Sequence, residues 1–111
     1  MKIAISSEGN ELGSKVSEIF GRCPYFMIVE VNEGKVASHE AVANASVSQR
    51  GGAGISSAQL IAEKGAEAVV SGSIGPRAMD ILRQLKIETY RGAGTVESVA
   101  LQCAEGKLTK I

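Results

Sequence analysis

The feature that most constrains this sequence is a stretch in which two glycine-rich turns each lead into a predicted helix. Residues 51–54 read Gly-Gly-Ala-Gly and precede an apolar-periodic segment over about 55–64; residues 72–77 follow a short apolar strand over 68–71. The first N–H groups of a helix lack intrahelical partners and carry positive partial charge, so such turns favour anions. An anion site and a purely structural pair of tight connections are both open at this point.

Strand-like and helix-like segments alternate along the whole chain. The predicted strands cover about 3–5, 25–31, 35–42, 68–71 and 87–90. A hairpin turn over 32–34 joins the second and third strands, and a short helix is predicted over 14–19. The order β, hairpin, αβαβα predicts a single α/β domain over 1–111, with a central sheet that helices cover on both faces.

Charge and cysteine content exclude several functional classes. Twelve basic residues balance twelve acidic ones, so no overall field favours nucleic acid or a membrane surface. No apolar run approaches the roughly 20 residues of a membrane helix. Two cysteines are too few for a disulfide scaffold, which indicates a reducing compartment. We therefore expect a cytoplasmic protein that binds neither nucleic acid nor membrane.

Arginine is distributed unevenly, because four of the five arginines stand beside a turn that contains glycine. These four are Arg22, Arg50, Arg77 and Arg91. If the first, fourth and fifth strands are parallel and the second antiparallel, the turns meet at one sheet edge, where open α/β folds bind ligands. Guanidinium groups clamp oxyanions in two-pronged fashion. The pattern predicts an anion cleft, and solvated loop arginines are the alternative.

The side chains of common catalytic sites are scarce in this chain. Asp80, the single aspartate, lies in a predicted helix, and His39, the single histidine, lies on the hairpin. No acidic cluster for metal-dependent hydrolysis and no Ser-His-Asp or Cys-His arrangement is apparent. The turns at 52–54 and 92–94 lack the third glycine of a dinucleotide fingerprint. These observations favour a non-enzymatic binding module.

The two cysteines differ in their surroundings. Cys103 lies in an apolar helical stripe and is predicted to be a small core residue. Cys23 lies in a turn between Arg22 and Pro24, on the predicted edge of the cleft. A neighbouring cation lowers the pKa of a thiol, and thiolate is the form that ligates iron. Cys23 is therefore the candidate metal ligand, although one thiol does not make a cluster site.

An ordered series of motifs runs along almost the whole chain. The motifs are MKIAI at 1–5, VSEIFGRCPYF at 16–26, GGAG at 51–54, GSIGPRA at 72–78 and YRGA at 90–93. The series resembles the dinitrogenase iron–molybdenum cofactor biosynthesis family, small domains related to nitrogenase accessory proteins. The resemblance implies a three-layer α/β/α, ribonuclease-H-like fold with a mixed five-stranded sheet in order 3-2-1-4-5, strand 2 being antiparallel.

The resemblance also implies that relatives bind or carry the iron–molybdenum cofactor or its iron–sulfur precursor without catalysing a reaction on it. Such a carrier would exchange its cargo with cluster-donating or cluster-accepting proteins. The predicted binding residues are Arg22, Arg50, Gly51, Gly52, Gly54, Gly75, Arg77, Arg91, Gly92 and Gly94, with Cys23 as metal ligand. Family members often place a histidine just before the first glycine turn, where this chain has Val-Ser-Gln-Arg at 47–50.

Two other functions are compatible with the same residues. The cleft could bind a metal-free anion such as a nucleotide or a small carboxylate. The domain could also be a protein-interaction module in which the glycine turns serve structure alone.

Overall fold

A computed structural model describes residues 1–46 and 51–111 of the chain, so the predicted contact Arg50 lies outside the described residues. Over this part of the chain the secondary structure is β1 (Lys2–Ser7), β2 (Tyr25–Asn32), β3 (Lys35–Ala43), α1 (Ala53–Glu63), β4 (Ala68–Ser71), α2 (Pro76–Gln84), β5 (Glu88–Arg91), α3 (Val96–Ala104) and β6 (Thr109–Lys110).

The strands form one mixed sheet in the order β3-β2-β1-β4-β5-β6. β1, β4 and β5 are parallel, whereas β2 runs antiparallel to β1, which confirms the predicted order of the first five strands. The predicted number of strands was wrong. Thr109–Lys110 adds a sixth strand, antiparallel to β5, and two residues are too few to produce an alternating pattern in the sequence.

Helices cover both faces of the sheet, as the alternation of strands and helices predicted. Successive strand side chains point to opposite faces, so Ile3 packs on the α3 side while Ala4 packs on the side of α1 and α2. The two resulting core clusters are mostly aliphatic. α1 and α2 therefore lie side by side on one face, which brings their N-termini together.

The bounds of α1 lie close to the predicted range of about 55–64. α1 begins at Ala53, two residues earlier than expected, and Gly65 follows its end with φ +81°. Pro76 occupies the first turn of α2, and the Thr95 hydroxyl caps α3 by accepting from the Ser98 amide at 3.2 Å. Among the described helices, none combines the length and apolar character that a bilayer crossing requires.

The short helix predicted over 14–19 was wrong, because residues 14–20 form no helix and instead cross the ends of the strands, with isolated bridges at Lys15, Val16 and Ile19. We call residues 14–20 the strap. Ser17 N donates to Ser6 O at 2.8 Å, and Gly72 N donates to Ser17 O at 3.0 Å. Phe20 N donates to the Ser73 carbonyl at 3.0 Å. A six-residue helix is marginal by itself, whereas the strap satisfies its backbone against the sheet.

Gly72 is where the strap lies closest to the sheet edge, and this contact predicts a stability effect. A Cβ at position 72 would lie 2.7 Å from both the Cα and the carbonyl oxygen of Glu18. We expect Gly72→Ala to lower the free energy of unfolding by about 1–3 kcal/mol in urea titrations, because backbone must move to admit the methyl group. Gly13→Ala is the control, since a Cβ there meets nothing within 4 Å. Equal stability of the two variants would contradict a closely seated strap.

Candidate functional site

The turns singled out in the sequence meet at one edge of the sheet. β1, β4 and β5 are parallel, so their carboxyl ends lie at the same edge. Ser7 at the end of β1 pairs with Tyr25 at the start of β2, and Tyr25 pairs with Ala43 at the end of β3. The segments that follow β1, β3, β4 and β5 therefore all leave from this edge, as the sequence predicted.

At this edge a cleft of about 320 Å³ opens between the N-termini of α1 and α2. It is lined by Ile19, Phe20, Arg22, Gly52, Ala53, Gly54, Ile55, Gly75, Pro76, Arg77 and Ala78. The two helices approach so closely here that a Cβ added to Gly54 would lie 3.0 Å from the Cβ of Ala78. The structure thus brings together two of the predicted arginines and three of the predicted glycines.

The backbone amides at the start of α1 and α2 make the cleft electropositive. Within the described residues, the amides of Ala53, Gly54 and Ile55 in α1, and of Arg77 and Ala78 in α2, have no hydrogen-bond partner. The N-cap residue of each helix is a glycine and supplies no side-chain cap. Five N–H donors and two helix dipoles are therefore directed toward the same region as the guanidinium groups.

Arg91, Gly92 and Gly94 lie elsewhere on the edge. They line a smaller cavity of about 150 Å³ beside Lys15, and residues 15–18 of the strap form its other wall. The strap therefore divides the single cleft that the sequence predicted into two. Only Arg22 and Arg77, of the predicted arginines that the structure describes, line the larger one.

The N-terminus of α3, in contrast to the other two, has its amides paired. Val96 N donates to Ser14 O and Glu97 N donates to Leu12 O, both at 2.9 Å. Ser98 N is capped by Thr95, as described above. Three helix N-termini were predicted to converge on one anion site, and this was wrong for α3. The first amides of α3 are already bonded to the chain at the start of the strap.

The predicted glycines divide into those that the fold requires and those that it does not. Gly52 and Gly94 have φ of +73° and +109°, which L side chains rarely adopt. Gly92 is required for packing, since a Cβ would lie 2.6 Å from the Val70 Cγ1. Gly75 has an ordinary φ of −65° and, like Gly51, an added Cβ would meet nothing within 4 Å. Neither backbone conformation nor packing therefore requires glycine at position 75, although Gly75 lines the cleft.

Cys23 is a core residue, with 0% of its surface exposed among the side chains beneath α1 and α2. Burial raises the pKa of the Cys23 thiol, while the Ser6 hydroxyl and nearby backbone amides oppose the shift in part. The expectation that Arg22 would lower this pKa was therefore wrong. Among the described residues, no group of three or more His, Cys, Asp or Glu side chains could hold a metal ion.

Sequence reasoning missed the apolar part of the cleft wall. Ile19, Phe20 and Ile55 line the cleft together with the arginines, and Ile19 is 51% exposed. Nothing in the sequence indicated the position of Ile19, because the predicted helix over 14–19 does not place this side chain in the cleft. Residues 47–50, which precede the first glycine turn, lie outside the described residues.

Comparison with known proteins identifies relatives that span the chain. A family described as dinitrogenase iron-molybdenum cofactor matches residues 1–106. An uncharacterised protein of Methanocaldococcus jannaschii is 38% identical over 111 residues, covering 99% of this chain and 91% of its own length.

Solved structures agree with the fold. The apo form of the orange protein from Desulfovibrio gigas superposes with a TM-score of 0.91 at 30% identity, covering 99% of this chain and 92% of that one. A putative NifB protein from Thermotoga gives a TM-score of 0.80 at 32% identity, covering 98% and 91%. A putative dinitrogenase from Methanocaldococcus jannaschii gives 0.77 at 27% identity, covering 100% and 94%.

The buried thiols predict a loss of stability at alkaline pH. Burial raises the pKa of Cys103 from 9.0 to about 11, and it also raises that of Cys23. Because the folded pKa is the higher one, the stabilisation is complete below pH 9 and is lost as pH rises through the folded value. We expect Cys103→Ala to show a shallower decline in the free energy of unfolding between pH 9 and 11 than the unmodified chain. Parallel declines would contradict the raised pKa.

Proposed function

We propose, since this chain belongs to the dinitrogenase iron–molybdenum cofactor family, that it is a non-enzymatic carrier of an anionic cluster of iron–sulfur or iron–molybdenum type. The observation that carries the proposal is the pairing, in one cleft, of two uncapped helix N-termini with the guanidinium groups of Arg22 and Arg77. Both helix N-termini and arginine side chains favour negatively charged ligands.

The residues of the cleft fit such a cargo by charge and surface character. Amide N–H and guanidinium groups can donate hydrogen bonds to sulfide or carboxylate acceptors at the periphery of a cluster. Ile19, Phe20 and Ile55 offer apolar contact to the weakly hydrated sulfide surface. A family named for a cofactor, and a similar protein whose structure is described as an apo form, support the same proposal.

Cargo held in this way has no thiolate or imidazole ligand from the described residues. Cys23 is fully buried and has a raised pKa, so we leave it out of the proposed contacts. Arg91, Gly92 and Gly94 are also left out, because the strap separates them from the cleft. Arg50 stays a predicted further cation. Binding through charge and hydrogen bonds suits transfer, since the cytoplasmic donor or acceptor protein need not break a metal–protein bond.

A metal-free anion is the second candidate ligand. The lack of a metal-holding cluster of side chains among the described residues favours it, because the amides and guanidinium groups bind a nucleotide phosphate or small carboxylate equally well. Thermal-shift measurements separate the two candidates, since a ligand that binds only the native state raises the melting temperature. Stabilisation by nucleotides or carboxylates at concentrations where cluster precursors have no effect would replace the carrier proposal.

Loss of positive charge in the cleft is expected to abolish cluster loading. After anaerobic incubation with iron–sulfur cluster precursors, the unmodified chain should carry iron and absorb visible light, while Arg22→Gln/Arg77→Gln should retain about a tenth of the iron or less. Cys23→Ser should load like the unmodified chain, because the thiol is buried away from the cleft. Lys35→Gln, on an exposed strand outside the cleft, is the control for the loss of a cation elsewhere on the surface. Colourless, iron-free unmodified protein would sink the carrier proposal.

Gly75 allows a test in which stability and binding change in opposite directions. In Gly75→Asp, the new carboxylate at the N-cap of α2 can accept from the Ala78 amide and interact favourably with the helix dipole. We expect stability to be unchanged or higher by about 1 kcal/mol, measured by urea unfolding.

The same carboxylate occupies the donors and repels an anion, so we expect loading of the cleft to fall by about tenfold or more. Gly13→Asp, which adds the same charge at an exposed position outside the cleft, should load normally. Normal loading of Gly75→Asp would exclude the N-terminus of α2 from the site.

A further inference from the structure

The three helices end in the same backbone motif, but α2 ends with an unexpected residue. The residue after each C-cap has a left-handed φ and donates to a carbonyl three residues back: Gly65 at +81°, Lys86 at +60° and Gly106 at +73°. Glycine adopts this conformation without strain, whereas a lysine Cβ crowds the following carbonyl. Lys86 therefore adopts, at a cost in strain, a conformation for which the other two helices use glycine.

Lys86 faces a groove of about 320 Å³ at the edge of the sheet opposite the cleft. The groove lies between the end of α2, the start of β5 and the end of β6, and three cations from these separate elements line it: Arg83, Lys86 and Lys110. Lys110 pairs with Glu88. Arg83 and Lys86 form no ion pair with any residue that the structure describes, so the side chains that line the groove include two positive charges without an acidic partner, in a chain of zero formal net charge.

The surroundings of the groove favour a polypeptide over a nucleic acid or a free ion. Leu85, next to Lys86, is 44% exposed, and Ile87 and Ile111 contribute apolar surface to the groove. A nucleic-acid binder neutralises several phosphates over a long basic stripe, whereas this unpaired positive charge is limited to two side chains. An extended acidic segment with an apolar residue matches both the charges and the apolar contacts.

We propose that this groove is a docking site for an acidic segment of a partner protein, whose carboxylates pair with Arg83 and Lys86. The groove is separate from the cleft. Glu88, which lines the groove, is the first residue of β5, whereas the cleft lies at the edge where β5 ends, at Arg91. A partner docked at the groove leaves the cleft open. The proposal does not rest on the identity of the cargo.

The test is an NMR titration of the full chain, labelled with ¹⁵N, at low ionic strength. The probe is a short synthetic peptide of glutamate and glycine with one central leucine. We expect saturable amide shifts confined to residues 83–89 and 110–111, with affinity that falls as salt is added. Arg83→Gln and Lys86→Gly should together weaken binding by about tenfold, and Lys86→Gly alone should raise the melting temperature because it removes strain.

Two controls keep the result decisive. Lys35→Gln removes an exposed cation elsewhere and should leave the affinity unchanged, and the peptide with glutamine in place of glutamate should not bind. Unchanged affinity in the Arg83→Gln/Lys86→Gly variant, or shifts outside the groove, overturns the proposal. So does a single-stranded oligonucleotide, or inorganic phosphate alone, that shifts the same amides at a lower concentration than the peptide.

Discussion

Backbone hydrogen bonds between the strap and the sheet, such as those from Ser17 N to Ser6 O and from Gly72 N to Ser17 O, determine which part of the sheet edge beside the cleft is open. They hold the strap across the carboxyl ends of β1 and β4. That region is the crevice in which open α/β sheets bind ligands. Because the strap covers the strand ends, the open cleft lies instead on the face of the sheet that α1 and α2 cover.

The same constraint explains why, among the helices that the structure describes, two N-termini are open and one is closed. At the start of the strap, the carbonyl groups of Leu12 and Ser14 accept hydrogen bonds from the first-turn amides of α3. α1 and α2 have no such neighbour among the described residues, and Gly54 lets them pack closely enough to share one cleft. The close packing of α1 against α2 therefore also brings the positive ends of their helix dipoles together.

The sequence contained enough information for most of the fold and for part of the site. Alternation and turn chemistry identified the strands and the hairpin, whose turn has the left-handed Glu33 and Gly34 that a two-residue connection needs. The order of the strands in the sheet was implied by the family resemblance. The strap was missed because Ser14 can serve as the N-cap of a short helix, and that local signal predicted a helix over 14–19. Long-range pairing to the sheet overrides that local pattern. The raised pKa of Cys23 was missed because burial depends on the whole fold, not on the neighbouring Arg22.

The distribution of charge at the helix N-termini supports an external anion at the cleft. Acidic side chains stabilise a first helical turn and basic ones destabilise it. α3, whose N-terminus is closed by the strap, has Glu97 in its first turn. α1 and α2 have no acidic residue there, and α2 instead has Arg77, which opposes its own helix dipole. The helix end that the fold closes therefore has an internal negative charge, while the two open ends lack one, and a bound anion would supply it.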